Sequence, residues 1–293
     1  MPKHTTIEND SAMGRVERVN ESALDTRWAE GTLEGKVADA SFGYLLAGIF
    51  GLPVTTDNAD SNAAVKDHTF DFAQSNTPKY LTVTVKNPVA DKRHALGVID
   101  TLKISGERGQ FVQFTADMKA KVGVTASSTV AYLVGENEFT MNHVSLKLAS
   151  NLAGLSGASA LDIKKFELNI ERKTEPHFPA LSPDPTYFTS GDVDVTGEFL
   201  IRYNSTLHED NFLSNLAQSM QLSIVNTDVV IGASARPGVV FTAPQIRLAE
   251  FDRSNDLGGI VEATIGIRTE LSLSDGYMLR PVLTNTQASY VSA

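Results

Sequence analysis

The sequence predicts a mainly β, antiparallel protein with two related modules, each carrying one short helix. Three observations predict this fold class. Apolar and polar residues alternate along most of the 293-residue chain, only two segments have helical periodicity, and the surroundings of those two segments are alike. Alternation with a period of two is typical of strands with one buried face. The hydrophobic fraction of 42% and the charged fraction of 20% fit a folded domain.

The first 26 residues are polar and weakly patterned, which predicts an N-terminal arm or mobile terminus. The opening residues lack the apolar region of a secretory signal, so we expect synthesis and initial residence in the cytoplasm. No stretch approaches the roughly 20 apolar residues that a membrane-spanning helix requires. The sequence therefore predicts no membrane association.

Alternation is clearest in three segments of the chain. Residues 80–86 place Leu or Val at every second position, residues 166–171 alternate apolar residues with Glu and Asn, and residues 192–203 alternate apolar with acidic residues. These patterns predict long antiparallel strands. Further strands are predicted at 95–105, 110–122, 142–149, 219–226, 239–251 and 259–273.

Two segments have the spacing of amphipathic helices. The first is predicted over residues 41–50, with Ser41 as N-cap and a Gly-Leu-Pro sequence at 51–53 as its stop. The second is predicted over residues 208–219, with acidic residues near its start. Its apolar stripe consists of Phe212, Leu213, Leu216 and Met220.

Three long segments, at 54–67, 150–160 and 173–190, are rich in small and polar residues and are predicted to be loops. Loops beyond about 12–15 residues are uncommon in compact domains unless they are functional or ordered by a partner. We therefore expect partners to contact them.

The two predicted helices have similar surroundings, which suggests an internal duplication. A glycine-bearing strand precedes each of them, at 30–37 and at 190–199, and several alternating strands follow each of them. The match is one of pattern and not of identity. It predicts a first module at 27–150 and a second at 151–293, after the arm at 1–26.

The chemistry of the side chains excludes several classes of function. The chain has no cysteine, which removes disulfides and thiolate chemistry, and its net charge of −10 argues against a surface that grips nucleic acid. The six histidines are scattered without the spacing of a metal site. We predict no catalytic residue, no metal site and no cofactor.

Several short motifs have both a functional and a structural interpretation. Asp192 and Asp194 alternate as in a calcium site, but a solvated strand face explains them better. The sequence at 232–236 lacks the second glycine of a nucleophile elbow and is interpreted as a loop. The acidic pair at 209–210 is explained by the helix dipole, and His68 by packing. Trp28 either anchors the arm on a neighbouring subunit or lies in its own core.

Five segments carry a resemblance to a known family. The glycine-bearing GTLEG at 31–35, followed by FGYLLAGIFG at 42–51, resembles the opening of the major tail tube proteins of long-tailed, siphovirus-like bacteriophages. HTF at 68–70 with TPKYLTV at 77–83 is similar to a pair of strands in that family. RVERVNES at 15–22 resembles a shortened form of its N-terminal segment.

The resemblance implies a structural protein of the virion, and not an enzyme, that is assembled in the host cytoplasm. The resemblance implies that each of the two modules is a β-sandwich or barrel with a flanking short helix. It also implies rings of six modules, which means six chains, or three chains when each chain carries two modules. Stacked rings enclose a β-barrel channel through which DNA passes without specific binding. The implied partners are other copies of the chain, the tape measure protein, and tail tip and terminator proteins.

Carboxylates on the wet side of such a wall would repel phosphates. The loops at 54–67 and 173–190 are the expected contacts between rings. The residues expected to face the lumen are Glu167, Glu171, Asp192, Asp194 and Glu198.

Two other classes of protein stay open as alternatives. Inner tubes of contractile injection systems share the implied fold, but their subunits are usually shorter. A surface β-sandwich that binds a receptor or carbohydrate predicts exposed aromatic residues beside carboxylates, and the single Trp gives this alternative little support.

Overall fold

Antiparallel strands make up most of the computed structural model, which describes residues 1–9, 16, 19–60, 64–129, 133, 135–254 and 260–290. The prediction of a mainly β fold is confirmed. The first half of the chain contains β1 (Pro2–Asn9), β2 (Glu21–Lys36), α1 (Phe42–Ile49), β3 (Val54–Asp57), β4 (Lys66–Thr69), β5 (Leu81–Val85), β6 (Lys92–Glu107), β7 (Gln113–Ala120), β8 (Val124–Thr125) and β9 (Val144–Ala149). The second half contains β10 (Ile163–His177), β11 (Tyr187–Arg202), α2 (Leu207–Leu213), β12 (Gln218–Val225), β13 (Gly238–Arg253), β14 (Glu262–Thr269) and β15 (Arg280–Asn285).

The strands form one extended sheet in the order β1-β2-β7-β6-β10-β11-β14-β13-β15-β4-β3. β5 and β8 pair with β6 outside this path, and β12 joins β13 to β9. Every pairing in the described residues is antiparallel, and β10 of the second half pairs directly with β6 of the first half. The sheet is therefore continuous across residue 150.

One face of this sheet is packed and the other is wet. Along β10, Phe166, Leu168 and Ile170 are fully buried and alternate with residues that keep some exposure. Phe42 and Leu46 of α1 are also buried, because this helix packs against β6 on the same side. Burial of each large apolar side chain contributes roughly 1.5–3 kcal/mol, so this face holds the sheet on its core.

The same strand order occurs twice in the sheet. In the first half, β2, α1, β6 and β7 occur in that sequence along the chain, with β3–β5 between α1 and β6. In the sheet, the three strands lie in the order β2-β7-β6. In the second half, β11, α2, β13 and β14 occur in that sequence along the chain, with β12 between α2 and β13. In the sheet, the three strands lie in the order β11-β14-β13. This recurrence supports the predicted duplication, while the module bounds at 27–150 and 151–293 stay a prediction.

The registers of the two strand sets also correspond. A bulge at Asp100 shifts β6 against β7, and a bulge at Ala249 shifts β13 against β14. Beside these bulges, Met118 of β7 lies opposite Gly31, and Ile267 of β14 lies opposite Gly197. Gly31 therefore corresponds to Gly197. In the same way Thr101, which follows the bulge in β6, corresponds to Glu250, which follows the bulge in β13.

The first helix is confirmed and the second is shorter than predicted. α1 covers most of 41–50, although Ser41 makes no side-chain cap, and its backbone N–H donates to the Glu136 carboxylate instead. α2 ends at Leu213, because Asn215 has a φ of 48° and β12 begins at Gln218. The predicted helix over 208–219 was therefore wrong beyond Leu213. Met220, which was assigned to its apolar stripe, is buried on β12.

The predicted loops at 54–67 and 173–190 were wrong in part, because strands occupy their ends. β3 and β4 form a hairpin within 54–69, and β10 and β11 extend to His177 and from Tyr187. β3 is exposed along its whole length, and the buried positions of the other strand ends include the polar residues His68, Thr174 and Ser190, so apolar alternation does not reveal them. Residues 150–160 contain a 3₁₀ turn at Leu152–Ser156, and residues 61–63 lie outside the described residues.

The N-terminal arm consists largely of a β-ribbon. β1 pairs with residues 21–29 of β2, and all eight residues of β1 are exposed. The arm boundary predicted at residue 26 falls within β2. Residues 10–15 and 17–18, which include part of the family-like segment at 15–22, lie outside the described residues. No helix in the described part of the chain is long and apolar enough to cross a membrane.

Candidate functional site: the polar face of the sheet

The side of β2, β7, β6, β10, β11, β14 and β13 that faces away from the core is here called the polar face. Its centre is the β10–β11 pair, where acidic residues lie directly opposite each other. Glu167 faces Glu198, and Glu171 faces Asp194. Like charges directly opposite on neighbouring strands are destabilising. Two such pairs, separated by the Asn169–Thr196 pair, concentrate negative charge at the centre of this face.

Four of the five predicted lumen residues lie together on the polar face. Glu167 and Glu171 are half-buried on β10, and Asp194 and Glu198 lie on the neighbouring β11. Asp192 is exposed but lies past the point where the register of β10 and β11 shifts. Alternation alone was sufficient to place these side chains on one side of the sheet, because a strand exposes every second residue.

Two of these carboxylates have basic partners. Lys103 Nζ lies 2.7 Å from Glu167 Oε1. Arg268 donates from Nε and Nη2 to the two oxygens of Asp194, at 3.2 and 3.3 Å. In the described part of the chain Glu171, Asp192 and Glu198 take part in no ion pair, so they contribute uncompensated negative charge.

Although the exposed Lys165 and Arg202 form no ion pair in the described part of the chain, most of the basic side chains on and around the polar face are engaged with acidic ones. Lys119 Nζ, for example, lies 3.2 Å from Asp100 Oδ2 and also donates to the Thr174 carbonyl at 2.9 Å. A lysine or arginine held by a carboxylate is poorly placed to neutralise a phosphate. The basic residues that form such ion pairs are Lys36, Lys103, Lys119, Lys164, Arg247 and Arg268.

His68 is a packed structural residue. Its side chain is fully buried, with Nδ1 2.8 Å from Thr55 Oγ1 and Nε2 2.9 Å from the Gln287 carbonyl oxygen. Desolvation by burial lowers the pKa of His68. Within the described ranges no three His, Asp or Glu side chains are grouped in a way that could hold a metal ion.

The loop at 232–236 binds a carboxylate of the chain itself. The backbone N–H groups of Ala233, Ser234 and Ala235 donate to the two oxygens of Asp60, at 2.5–3.1 Å. These contacts tie the turn between β3 and β4 to the second half of the chain. The predicted loop interpretation fits this structural role.

The acidic pair at the start of α2 also has structural partners. Glu209 accepts a hydrogen bond of 2.7 Å from the Tyr203 hydroxyl and lies 3.6 Å from Arg253. The hydrogen bond to Glu209 raises the pKa of Tyr203, and desolvation raises it further. Asp210 lies in the first turn of the helix, where its charge favours the dipole.

Trp28 lies at the base of the N-terminal ribbon. Its ring centroid is 6.1 Å from that of Phe178, and its Nε1 donates to Glu30 at 2.8 Å. Next to it, Arg27 forms two hydrogen bonds with Asp184. The tip of the β10–β11 hairpin therefore holds the ribbon, which no sequence pattern indicated.

Two strand edges that border the polar face are open in the described part of the chain. Residues 31–36 of β2 pair with β7 on one side only. Residues 250–253 of β13 likewise pair with β14 on one side only. Sequence reasoning did not find these edges, because strand order has no local signal.

The chain matches the model of a known protein family. A family model described as phage tail tube protein matches residues 4–259. A search of curated proteins finds no match for the chain.

Proposed function

Because this chain belongs to the phage tail tube protein family, we propose that copies of it assemble into stacked rings that enclose a channel for DNA. The family supports a structural role in the phage tail, and the proposal assigns the chain no catalytic activity. The observation that carries the finer proposal is the polar face, a continuous wet surface across seven strands with a packed core behind it.

The charges of the polar face support its placement towards DNA. Glu171 and Glu198 make no ion pair in the described structure, so they would repel phosphates. Repulsion at the wall lets a polyanion pass without adhering to it. Most of the basic residues of this face are held by carboxylates, which leaves Lys165 and Arg202 as exposed basic side chains without an ion pair in the described structure.

The recurrence of strand order supports a ring of three chains with pseudo-six-fold symmetry. Each chain would supply two sets of strands, β2-β7-β6 and β11-β14-β13, to one closed barrel. A hexameric ring is the alternative, and the number of chains per ring distinguishes the two.

Stacking requires contacts along the tube axis. The turn between β3 and β4 and the tip between β10 and β11, within the segments 54–67 and 173–190, are our candidates for these contacts. The tape measure protein and the tail tip and terminator proteins would complete the tail in the host cytoplasm. No cofactor takes part in this proposal.

Negative-stain electron microscopy of the concentrated protein, with light scattering, tests the proposal. Uniform hollow tubes or rings with a central hole are expected, and image averaging gives the number of chains. Six chains per ring would exclude the trimeric arrangement. A protein that stays monomeric at every concentration, and binds a receptor or carbohydrate instead, would contradict the tube.

A further inference from the structure

β10 lies between β6 and β11 and pairs with both of them. On one side it pairs with residues 101–107 of β6, and on the other with residues 194–200 of β11. Without β10 both edges would be open. This junction joins the first set of strands to the second within one chain.

β13 and β2 correspond to β6 and β11, and both have an open edge. β13 corresponds to β6, because each has a bulge at the same level against its neighbour, at Ala249 and Asp100. β2 corresponds to β11, because Gly31 and Gly197 face equivalent residues. The edge of β13 at 250–253 and the edge of β2 at 31–36 thus lack, in the described residues, the strand that β10 supplies to their counterparts.

We infer that the open edge of β13 in one copy pairs with the outer edge of β1 in the next copy, so that β1 occupies the place of β10. β13 of one copy lies beside β1 and β2 of the next, as β6 lies beside β10 and β11. The inference rests on the proposed ring and adds which surfaces form it. The two edges differ, so the contact is heterologous and repeats head to tail until the ring closes. Pairing also removes exposed edges that otherwise invite aggregation.

The registers identify the residues that come together. Lys3 lies opposite Trp28, as Glu171 lies opposite Asp194, and Trp28 and Asp194 each precede the corresponding glycine by three residues. Lys3 therefore takes the place of Glu171. Glu171 pairs with Thr101, the residue after the bulge in β6.

The residue after the equivalent bulge in β13 is Glu250. Lys3 of one copy consequently faces Glu250 of its neighbour. Both side chains are exposed in the single chain, and their opposite charges suit a directly facing cross-strand pair.

The absence of cysteine from the chain allows a direct test. Opposite residues in antiparallel strands have Cα atoms about 4.5–5.5 Å apart, a distance that a disulfide spans. We would mix the single variants Lys3→Cys and Glu250→Cys under assembly conditions, oxidise them, and separate the products on a non-reducing gel. A disulfide-linked dimer of the two variants is expected.

Two controls calibrate the cross-link. Thr101→Cys with Glu171→Cys in one chain cross-links β6 to β10 within that chain, so it gives an internal disulfide and no dimer. Lys3→Cys mixed with Glu198→Cys, an exposed residue in the middle of the polar face, gives no dimer. The double variant Lys3→Cys with Glu250→Cys gives covalently closed rings, whose mass counts the chains.

The outcomes separate this inference from the proposed function. Tubes that form without the Lys3–Glu250 cross-link would overturn the assignment of the edges and leave the tube intact. A parent protein with neither rings nor cross-links would overturn both. A charge swap provides a second measurement: Lys3→Glu should slow assembly, and Glu250→Lys in the same chain should restore it.

Discussion

Arg27 binds Asp184 through two parallel hydrogen bonds, from Nε at 2.7 Å and from Nη2 at 2.8 Å. The two residues are separated by 157 positions in the chain, and the Arg27 backbone N–H also donates to the Pro183 carbonyl at 2.8 Å. A two-stranded ribbon is marginally stable by itself in water. These contacts of Arg27 with Asp184 and Pro183, here called the clasp, therefore set the position of the N-terminal ribbon, which carries one of the proposed ring contacts.

Arg27→Ala should loosen the ribbon without unfolding the sheet. Amide hydrogen exchange in β1 and in residues 21–26 should become faster, because their remaining contacts are solvent-exposed. The urea midpoint of the whole chain should barely change. Arg93→Ala, which removes the same charge from an exposed position on β6, is the control and should leave exchange in the ribbon unchanged. Equal exchange in both variants would show that the clasp does not hold the ribbon.

The clasp should also depend on pH. The hydrogen bond from Arg27, opposed by some desolvation, lowers the pKa of Asp184 below its ordinary value. A carboxylate whose pKa is depressed by folding contributes stability that is fully present above its unfolded-state pKa and is lost as the pH falls through the folded-state value. Ribbon exchange should therefore be constant above about pH 5 and rise below about pH 4, relative to intrinsic exchange. In Asp184→Asn this acid-induced change should be absent.

Arg172 links α1 to the core through its guanidinium. Nη1 donates to the Ile49 carbonyl at the end of the helix, and Nη2 donates to the Ala73 and Ser75 carbonyls, each at 3.0 Å. The side chain is buried, and desolvation lowers its pKa. It thus donates to carbonyls at the end of α1 and in residues 73–75.

Arg172→Ala should lower the free energy of unfolding by about 2–4 kcal/mol, because buried carbonyls lose their donors and a cavity remains. Urea denaturation followed by circular dichroism measures this change. Arg202→Ala, at an exposed end of β11, should change the free energy of unfolding by less than about 0.5 kcal/mol. Similar values for both variants would contradict the structural role of Arg172.

Much of the sheet could be predicted from alternation, because β6, β10, β11, β13 and β14 each bury every second residue. The same parity placed Glu167, Glu171, Asp194 and Glu198 on one face. The segment after α2 was mistaken for helix, because a short apolar run fits either period until Asn215 turns the chain. The strands β1 and β3 expose both sides, so their sequence has no apolar period.

Strand order, ion-pair partners and open edges could not be predicted in this way. They depend on contacts between residues far apart in the chain, such as Arg27 with Asp184 and Lys103 with Glu167. Only the duplication gave a long-range expectation, through the glycine-bearing strands before each helix. The structure adds Gly31 and Gly197 as equivalent positions beside equivalent bulges.

Gly43→Ala should destabilise the protein although alanine favours a helix. A Cβ at residue 43 would lie 2.1 Å from the Tyr290 ring, whose hydroxyl donates to the Ala40 carbonyl at 2.8 Å. The gain in helix propensity is only about 1 kcal/mol, whereas overpacking costs about 1–3 kcal/mol or more. Thermal unfolding should therefore occur at a lower temperature in Gly43→Ala.

A double-mutant cycle tests the cause of this loss. Tyr290→Ala removes the ring, so adding Gly43→Ala to it should raise the unfolding temperature relative to Tyr290→Ala alone. Gly157→Ala is a control, since the nearest atom to its added Cβ is 4.0 Å away. If Gly43→Ala is destabilising to the same extent in both backgrounds, the ring is not the cause.

Reversal of a charge on the polar face should change how assembled tubes interact with DNA. Glu198 is exposed on β11 and forms no ion pair in the described structure, so Glu198→Lys should leave folding and tube formation intact. The substitution places a ring of lysines in the proposed lumen and removes the carboxylates that repel phosphate. Short DNA that enters these tubes should be retained, and retention should weaken as salt rises, because binding releases counterions. The parent tubes should release the same DNA.

Asp210→Lys serves as the matched control. It makes the same change in charge on α2, which packs against β13 on the core side of the sheet and would lie outside the lumen. Sedimentation of tubes with labelled DNA at several salt concentrations measures retention in both variants. If Asp210→Lys tubes retain DNA as strongly as Glu198→Lys tubes, net charge and not the polar face governs the interaction. If neither retains DNA, the polar face does not line the channel, and the wall must be formed by another surface of the chain.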